Sequence, residues 1–221
     1  MAHREKKLEE GTTNGCLVAH NNSHSVITEQ YRTIRNNIRF STGNKRLGAL
    51  VVTSPSEGEG KTSTAVNLAI CFAQLGDRVL LVDANLRSPI LNHVFNIKSW
   101  PGLTDGLANH IDILETIQQT NIERLSVLPN GSSLHNAGDL LDSQAMSAFL
   151  EVAGERFDAI LLDCSSVLDT SDTNALARRC KGVILVIDSG KTKQQKVLEA
   201  RRILEFGNVK ILGAVLNKKK R

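Results

Sequence analysis

Short apolar runs alternate with longer amphipathic stretches along most of the chain. Six apolar runs predict buried β-strands at residues 50–52, 79–82, 125–128, 159–162, 183–187 and 211–216. The stretches between them predict helices at residues 61–75, 143–156, 171–180 and 192–206, and an irregular helical region at 102–120. Strands that alternate with helices are typical of βαβ units. The sequence therefore predicts an α/β fold with a mainly parallel β-sheet that helices flank on both faces.

The chain ends differ in pattern from this central region. Residues 1–25 are polar with no sustained period, which favours a flexible N-terminal arm. Residues 26–40 place apolar side chains on one helical stripe. With 221 residues in all, we expect one domain over residues 26–217 and a short basic tail over 218–221.

A glycine-rich loop follows the first predicted strand. Residues 55–62 read PSEGEGKT and match the phosphate-loop pattern G-x-x-x-x-G-K-[ST], except that Pro55 replaces the first glycine. Gly58 and Gly60 allow backbone N–H groups to approach phosphate oxygens, and the helix that starts near Lys61 adds the positive end of its dipole. The sequence thus predicts a P-loop NTPase that binds ATP and Mg²⁺ through Ser56, Glu57, Gly58, Glu59, Gly60, Lys61, Thr62 and Ser63.

Two aspartates stand where predicted strands end. Asp83 follows the run LLV, and Asp163 follows the run ILL. Parallel sheets bind their ligands beyond the carboxyl ends of the strands, so we expect both carboxylates beside the phosphate loop. There Lys61 would reach the β- and γ-phosphates, and Thr62, Asp83 and Asp163 would hold Mg²⁺ directly or through water. The alternative for each aspartate alone is a cap on the next helix or turn.

Composition and charge exclude several other classes. The formal net charge is +4, and the four basic residues 218–221 account for it, so the positive charge forms a tail and not a groove. We therefore expect no nucleic-acid partner.

The four cysteines show no C-x-x-C spacing, which favours reduced thiols over disulfides or a metal site. The start lacks an apolar signal segment, and no apolar run reaches the roughly 20 residues of a membrane helix.

These motifs together resemble the bacterial tyrosine kinases of capsule and exopolysaccharide synthesis over about residues 26–217. The resemblance rests on SPSEGEGKTSTAVNLA, LLVDANLRSP and AILLDCSSV, with EQYRTIR before the first strand and KGVILVIDSGKT and LGAVLN near the end. It implies an ATP-dependent protein-tyrosine kinase, with protein tyrosines as substrates and Asp83 as the base. It also implies activation by a membrane-bound polysaccharide co-polymerase and a cytoplasmic location at the inner face of the cell membrane.

The resemblance assigns two further sets of residues. In the family, the pattern E-x-x-R-x-x-R lies on a helix that joins subunits into a ring, and here it comprises Glu29, Arg32 and Arg35. Their spacing of three puts them on roughly one helical face. Asn217 matches a position that often contacts the base in related ATPases, although a polar residue that merely ends a strand is the alternative.

Three features depart from the family pattern. The second motif is usually D-x-D-x-R, but Asn85 replaces its second aspartate, and Asn cannot accept a proton or carry negative charge. Ser165 and Ser166 stand where two prolines usually follow the third motif. The tyrosine-rich tail is missing, since Tyr31 is the one tyrosine of the chain.

These departures leave two alternatives open. One is a catalytically impaired, ATP-binding ring that regulates the export machinery, with Asn85 marking lost kinase chemistry. The other is a partitioning ATPase of the same phosphate-loop class. Such ATPases generally carry a second lysine early in the loop, where this chain has Ser56, which argues against that reading.

Overall fold

Seven strands form a single sheet at the centre of the molecule. The computed structural model of the chain describes residues 16–43, 46–108, 110–133 and 137–219. The strands are β1 (Gly48–Thr53), β2 (Val79–Ala84), β3 (Gln118–Gln119), β4 (Leu125–Leu128), β5 (Ala159–Cys164), β6 (Gly182–Asp188) and β7 (Ile211–Asn217). Their order is β3-β4-β2-β5-β1-β6-β7, and every neighbouring pair is parallel except β3 with β4. The predicted α/β fold with a mainly parallel sheet is confirmed.

The helices connect these strands. They are α1 (Val18–Asn21), α2 (Val26–Ser41), α3 (Lys61–Gln74), α4 (Leu91–Phe95), α5 (Leu103–Leu107), α6 (Ala137–Leu141), α7 (Gln144–Arg156), α8 (Asp172–Ala177) and α9 (Gln194–Phe206). The region 102–120 contains α5, a 3₁₀ turn at Ile113–Thr116 and the short β3. The prediction of an irregular helical region there is therefore only partly correct. None of the helices in the described ranges is long and apolar enough to cross a membrane.

Each face of the sheet is covered by its own apolar core. Alternate side chains of a strand point to opposite faces, so Leu50 and Val52 of β1 belong to one core while Val51 belongs to the other. Helix α3 packs in the first core and α7 in the second. Strands buried on both faces must be mostly apolar, as β1, β2 and β5 are, with Asp83 and Asp163 only near the carboxyl ends of β2 and β5. This requirement is why short runs without alternation predicted them correctly.

The N-terminal segment is more ordered than predicted. Cys16 and Ala19 are buried in the first core. The Asn67 side chain of α3 holds this segment at two points: its Nδ2 donates to the Cys16 carbonyl at 2.8 Å, and its Oδ1 accepts from the Ala19 N–H at 2.8 Å. The prediction of a flexible arm over residues 1–25 is therefore wrong for residues 16–25, where Ser25 also caps α2. Residues 1–15 lie outside the described residues.

Candidate nucleotide-binding site

The phosphate loop connects β1, which ends at Thr53, to α3, which begins at Lys61. Gly58 and Gly60 have φ angles of 75° and 93°, in the left-handed region that side chains disfavour. At Gly60 an added Cβ would also lie 2.1 Å from the Asn217 Nδ2 atom. Glycine is therefore required at Gly60 both by conformation and by the close approach of β7.

Lys61 and Thr62 occupy the first turn of α3. The helix has 14 residues, and no acidic side chain stands in its first turn. Its free N–H groups and dipole therefore make this end attractive to anions. The Lys61 side chain is buried, and its positive charge acts on the neighbouring Asp163 carboxylate. The predicted phosphate-facing residues are thus assembled at one helix end.

Asp83 and Asp163 lie side by side at the carboxyl ends of β2 and β5. They are register partners in the parallel pair, and each is only 1% exposed. Burial raises the pKa of Asp83 to about 8, and the charge of Asp163 adds to this rise. Burial also raises the pKa of Asp163 to about 6, against the opposing effects of the Thr62 hydroxyl and the Lys61 ammonium. Two acidic side chains are therefore held next to each other beside the phosphate loop.

The two carboxylates differ in their hydrogen bonds. Asp83 accepts from the backbone N–H of Asn85 at 3.3 Å, Ile90 at 3.1 Å and Leu91 at 3.0 Å. Asp83 therefore also caps the start of α4, which is the alternative role that the sequence suggested for it. Both Asp163 oxygens are buried with no partner at hydrogen-bond distance among the described residues, so the Thr62 hydroxyl acts on this carboxylate from beyond that distance. An orphaned buried carboxylate fits a site completed by a cation or its water shell.

The donor set suits Mg²⁺ held together with nucleotide phosphates. In the described ranges no group of three or more His, Cys, Asp or Glu side chains converges as a metal site. Mg²⁺ is commonly bound through one or two carboxylates plus substrate phosphates. Asp83, Asp163 and the Thr62 hydroxyl provide hard oxygen atoms of this kind.

The remaining predicted loop residues take different positions. Glu57 and Gly58 are exposed, whereas Glu59 is buried and its Oε1 accepts from the Ser56 N–H at 3.2 Å. Burial raises the pKa of Glu59 above its ordinary value. Ser63 faces the N-terminal segment, with its Oγ 3.3 Å from the Cys16 Sγ.

Asn217 holds the phosphate loop from the end of β7. Its Nδ2 donates to the Glu59 carbonyl at 2.9 Å, and its Oδ1 accepts from the Lys218 N–H at 2.9 Å. Contact with the base stays a prediction, and the structure adds a second role for Asn217 in supporting the loop.

Two lysines beside the loop were missed by sequence reasoning. Lys218, which we assigned to the basic tail, donates to the Gly58 carbonyl at 2.6 Å and to Asp188 Oδ2 at 3.0 Å. Lys196 of α9 donates to the Ser56 Oγ at 2.9 Å. Both come from distant parts of the chain, so no local pattern could have revealed them.

The predicted oligomerisation residues lie on α2, away from the carboxylates. Arg32 pairs with Glu29 within the same helix at 2.5 Å. Arg35 differs, because it is buried and its Nη1 donates to the Cys71 carbonyl of α3 at 2.9 Å. Arg35 thus fixes α2 to its own domain, and contact of Glu29, Arg32 and Arg35 with a neighbouring subunit stays a prediction.

Comparisons with known proteins place this site in a family. The AAA domain family matches residues 50–198. The tyrosine-protein kinase YwqD of Bacillus subtilis is 36% identical over 204 residues, which cover 92% of this chain and 86% of that protein. The chain belongs to the bacterial tyrosine kinases. The fold agrees, since the crystal structure of the chimerical protein CapA2B2 has a TM-score of 0.88 at 30% identity, covering 93% of this chain and 91% of that one.

A solved bacterial tyrosine kinase has the same architecture. The kinase domain of the Escherichia coli tyrosine kinase ETK has a TM-score of 0.87 at 26% identity, covering 93% of this chain and 82% of that one. Membership in this P-loop kinase family implies ATP binding. Asn85 is 5% exposed and lies beside Asp83, so the departure from D-x-D falls within the site itself.

Proposed function

We propose that the chain is an ATP-dependent protein-tyrosine kinase that regulates capsular or exopolysaccharide synthesis and export. The observation that carries this proposal is the pair of buried carboxylates, Asp83 and Asp163, next to Lys61 at the start of α3. A positive helix end with a lysine binds phosphates, and the carboxylates provide a base and a metal site at the same edge.

The reaction follows from the roles of these groups. Asp83 accepts the proton of the substrate tyrosine hydroxyl as its oxygen attacks the γ-phosphorus, and the bond to ADP breaks. Its pKa of about 8 is closer to the operating pH than that of an ordinary aspartate, which suits a general base. Lys61 and the loop N–H groups stabilise the charge on the phosphate oxygens. Thr62, Asp83 and Asp163 would hold Mg²⁺, which would supply additional positive charge beside the phosphates.

We further propose a homo-oligomeric ring at the inner face of the cell membrane, recruited by a membrane-bound activator. Glu29 and Arg32 are both at least partly exposed on α2, and the large apolar side chain of Phe40 on the same helix is 76% exposed. Exposed apolar and charged side chains on one helix suit contact with another protein.

The direct test separates phosphate binding from proton transfer. Asp83→Asn should still bind ATP with Mg²⁺ held by Thr62 and Asp163, but should transfer phosphate to a tyrosine peptide at least about a hundredfold more slowly, because the base is removed. Asp169→Asn, an exposed aspartate in the loop after β5, is the matched control and should behave as the wild type. Unchanged transfer in a folded Asp83→Asn protein would contradict its role as the base.

The replacement at Asn85 favours one second candidate, an ATP-binding ring that regulates export without kinase chemistry. Wild-type protein that binds MgATP and assembles, but phosphorylates no tyrosine in the presence of its activator, would support this candidate over the kinase.

A further inference from the structure

Two positions at which this chain departs from its family's pattern touch each other. The Ser165 hydroxyl donates to the Asn85 Oδ1 at 3.0 Å, although the two residues are 80 positions apart in the chain. Asn85 follows β2 and Ser165 follows β5, which are neighbours in the sheet. Both residues are at most 6% exposed, so water does not compete strongly for this bond.

The hydrogen bonds fix which way the Asn85 amide points. Its Nδ2 donates to the Ser88 carbonyl at 3.1 Å, in the loop between β2 and α4. The reversed amide would set its oxygen against that carbonyl. The backbone N–H of Asn85 also donates to Asp83 Oδ1. Asn85 therefore connects the candidate base, the loop after β2 and the end of β5.

Ser165 is itself held in place by the elements around the phosphate loop. Its carbonyl accepts from the Thr53 hydroxyl at 2.6 Å and from the Thr173 hydroxyl at 2.9 Å. Thr53 is the last residue of β1, directly before the phosphate loop. A proline at position 165 could keep this carbonyl, but it has no hydroxyl to donate to Asn85.

We propose that Ser165 is a positioning residue for the nucleotide site and acts through Asn85. The serine hydroxyl sets the amide orientation, and the amide in turn sets the loop that approaches Asp83. The pair thus forms an uncharged, hydrogen-bonded contact between the ends of β2 and β5. This inference rests on the proposed nucleotide site and adds a residue to it.

A double-mutant cycle tests the coupling with MgATP affinity as the readout. Asn85→Ala and Ser165→Ala should each raise the dissociation constant about three- to tenfold, since each removes the same buried hydrogen bond. The double variant should be no weaker than the weaker single variant, because the bond can be lost only once. Additive effects would overturn the inference.

Ser166→Ala is the matched control. Ser166 is the next residue, and its buried hydroxyl has no hydrogen-bond partner in the described part of the chain. Removing this hydroxyl should leave the MgATP dissociation constant within about twofold of the wild type. A larger change would mean that loss of any buried hydroxyl here disturbs the site, and would overturn the specific role of Ser165.

A purely structural contact is distinguished by a second measurement and a rescue. Coupling in urea unfolding without coupling in MgATP affinity would overturn the positioning role. Ser165→Thr keeps the hydroxyl and should recover most of the affinity lost in Ser165→Ala. If Ser165→Ala does not fold, Ser165→Cys, a weaker donor of similar size, takes its place in the cycle. Wild-type protein without MgATP binding would overturn both this inference and the proposed function.

Discussion

The buried carboxylate of Asp163 should make the nucleotide-free protein less stable at neutral pH. Its pKa is raised from 3.8 to about 6, because burial disfavours the charged form. The folded state therefore holds the proton more tightly than the unfolded state. The resulting stability is fully present below pH 3.8 and is lost as the pH rises through about 6. One pKa unit corresponds to about 1.4 kcal/mol, so the loss amounts to about 3 kcal/mol.

The substitution Asp163→Asn removes this dependence because the amide does not ionise. Relative to the wild type, the variant should gain about 2 to 3 kcal/mol of unfolding free energy between pH 4 and pH 7. The measurement is urea unfolding without nucleotide at both pH values. The control is Asp169→Asn in the exposed loop after β5, whose difference from the wild type should stay within about 0.5 kcal/mol.

Nucleotide should offset most of this difference in stability at pH 7. MgATP at a hundredfold excess over its dissociation constant should add about 2.7 kcal/mol to the wild type. The same concentration should add much less to Asp163→Asn, because the variant lacks the charge that holds the cation. The reasoning would be refuted if the difference in unfolding free energy between Asp163→Asn and the wild type were no larger at pH 7 than at pH 4. Equal stabilisation of both proteins by MgATP would also refute it.

Four further substitutions test other parts of the account. Asn85→Asp should raise phosphate transfer to tyrosine at least about tenfold by restoring a carboxylate. It should also lower the melting temperature of the nucleotide-free protein, because the donor to the Ser88 carbonyl is lost. An unchanged transfer rate would exclude position 85 from the catalytic residues. Asn217→Ala should weaken ATP affinity and reduce the preference for ATP over GTP, and unchanged values of both would exclude it from the site. Arg32→Glu should shift a large oligomer to monomer in light scattering with the fold intact, and a wild type that is already monomeric with ATP and activator would contradict the ring. Arg35→Glu should instead cost about 1.5–3 kcal/mol in urea unfolding, because a charged hydrogen bond to α3 is lost; unchanged stability would contradict its role in fixing α2.

The sequence was sufficient for six of the seven strands and for the residues at the carboxyl edge of the sheet, but β3 was missed. Strands buried on both faces are mostly apolar, so the runs 79–82 and 159–162 identified β2 and β5 and placed Asp83 and Asp163 near their ends. Strand order and the parallel arrangement then brought the two aspartates together.

Contacts between distant segments were beyond the sequence pattern. Asn67 is the one polar residue in the stretch 65–73 of α3, and only the fold shows that it binds Cys16 and Ala19. Arg35 has the spacing of a surface residue but donates to a carbonyl 36 positions away. The link between Asn85 and Ser165 likewise depends on the adjacency of β2 and β5. Local periodicity carries no information on such pairs.

The most direct test of the kinase assignment is transfer of the γ-phosphate of ATP to a tyrosine peptide, measured by mass spectrometry with Mg²⁺ and activator. The wild type should form phosphotyrosine. Lys61→Met should keep its fold, lose tight MgATP binding and form none, because the buried lysine at the start of α3 is removed. Lys98→Met, a change at an exposed lysine far along the chain from the loop, should match the wild type. Equal phosphotyrosine formation by folded Lys61→Met and wild-type protein would contradict the account.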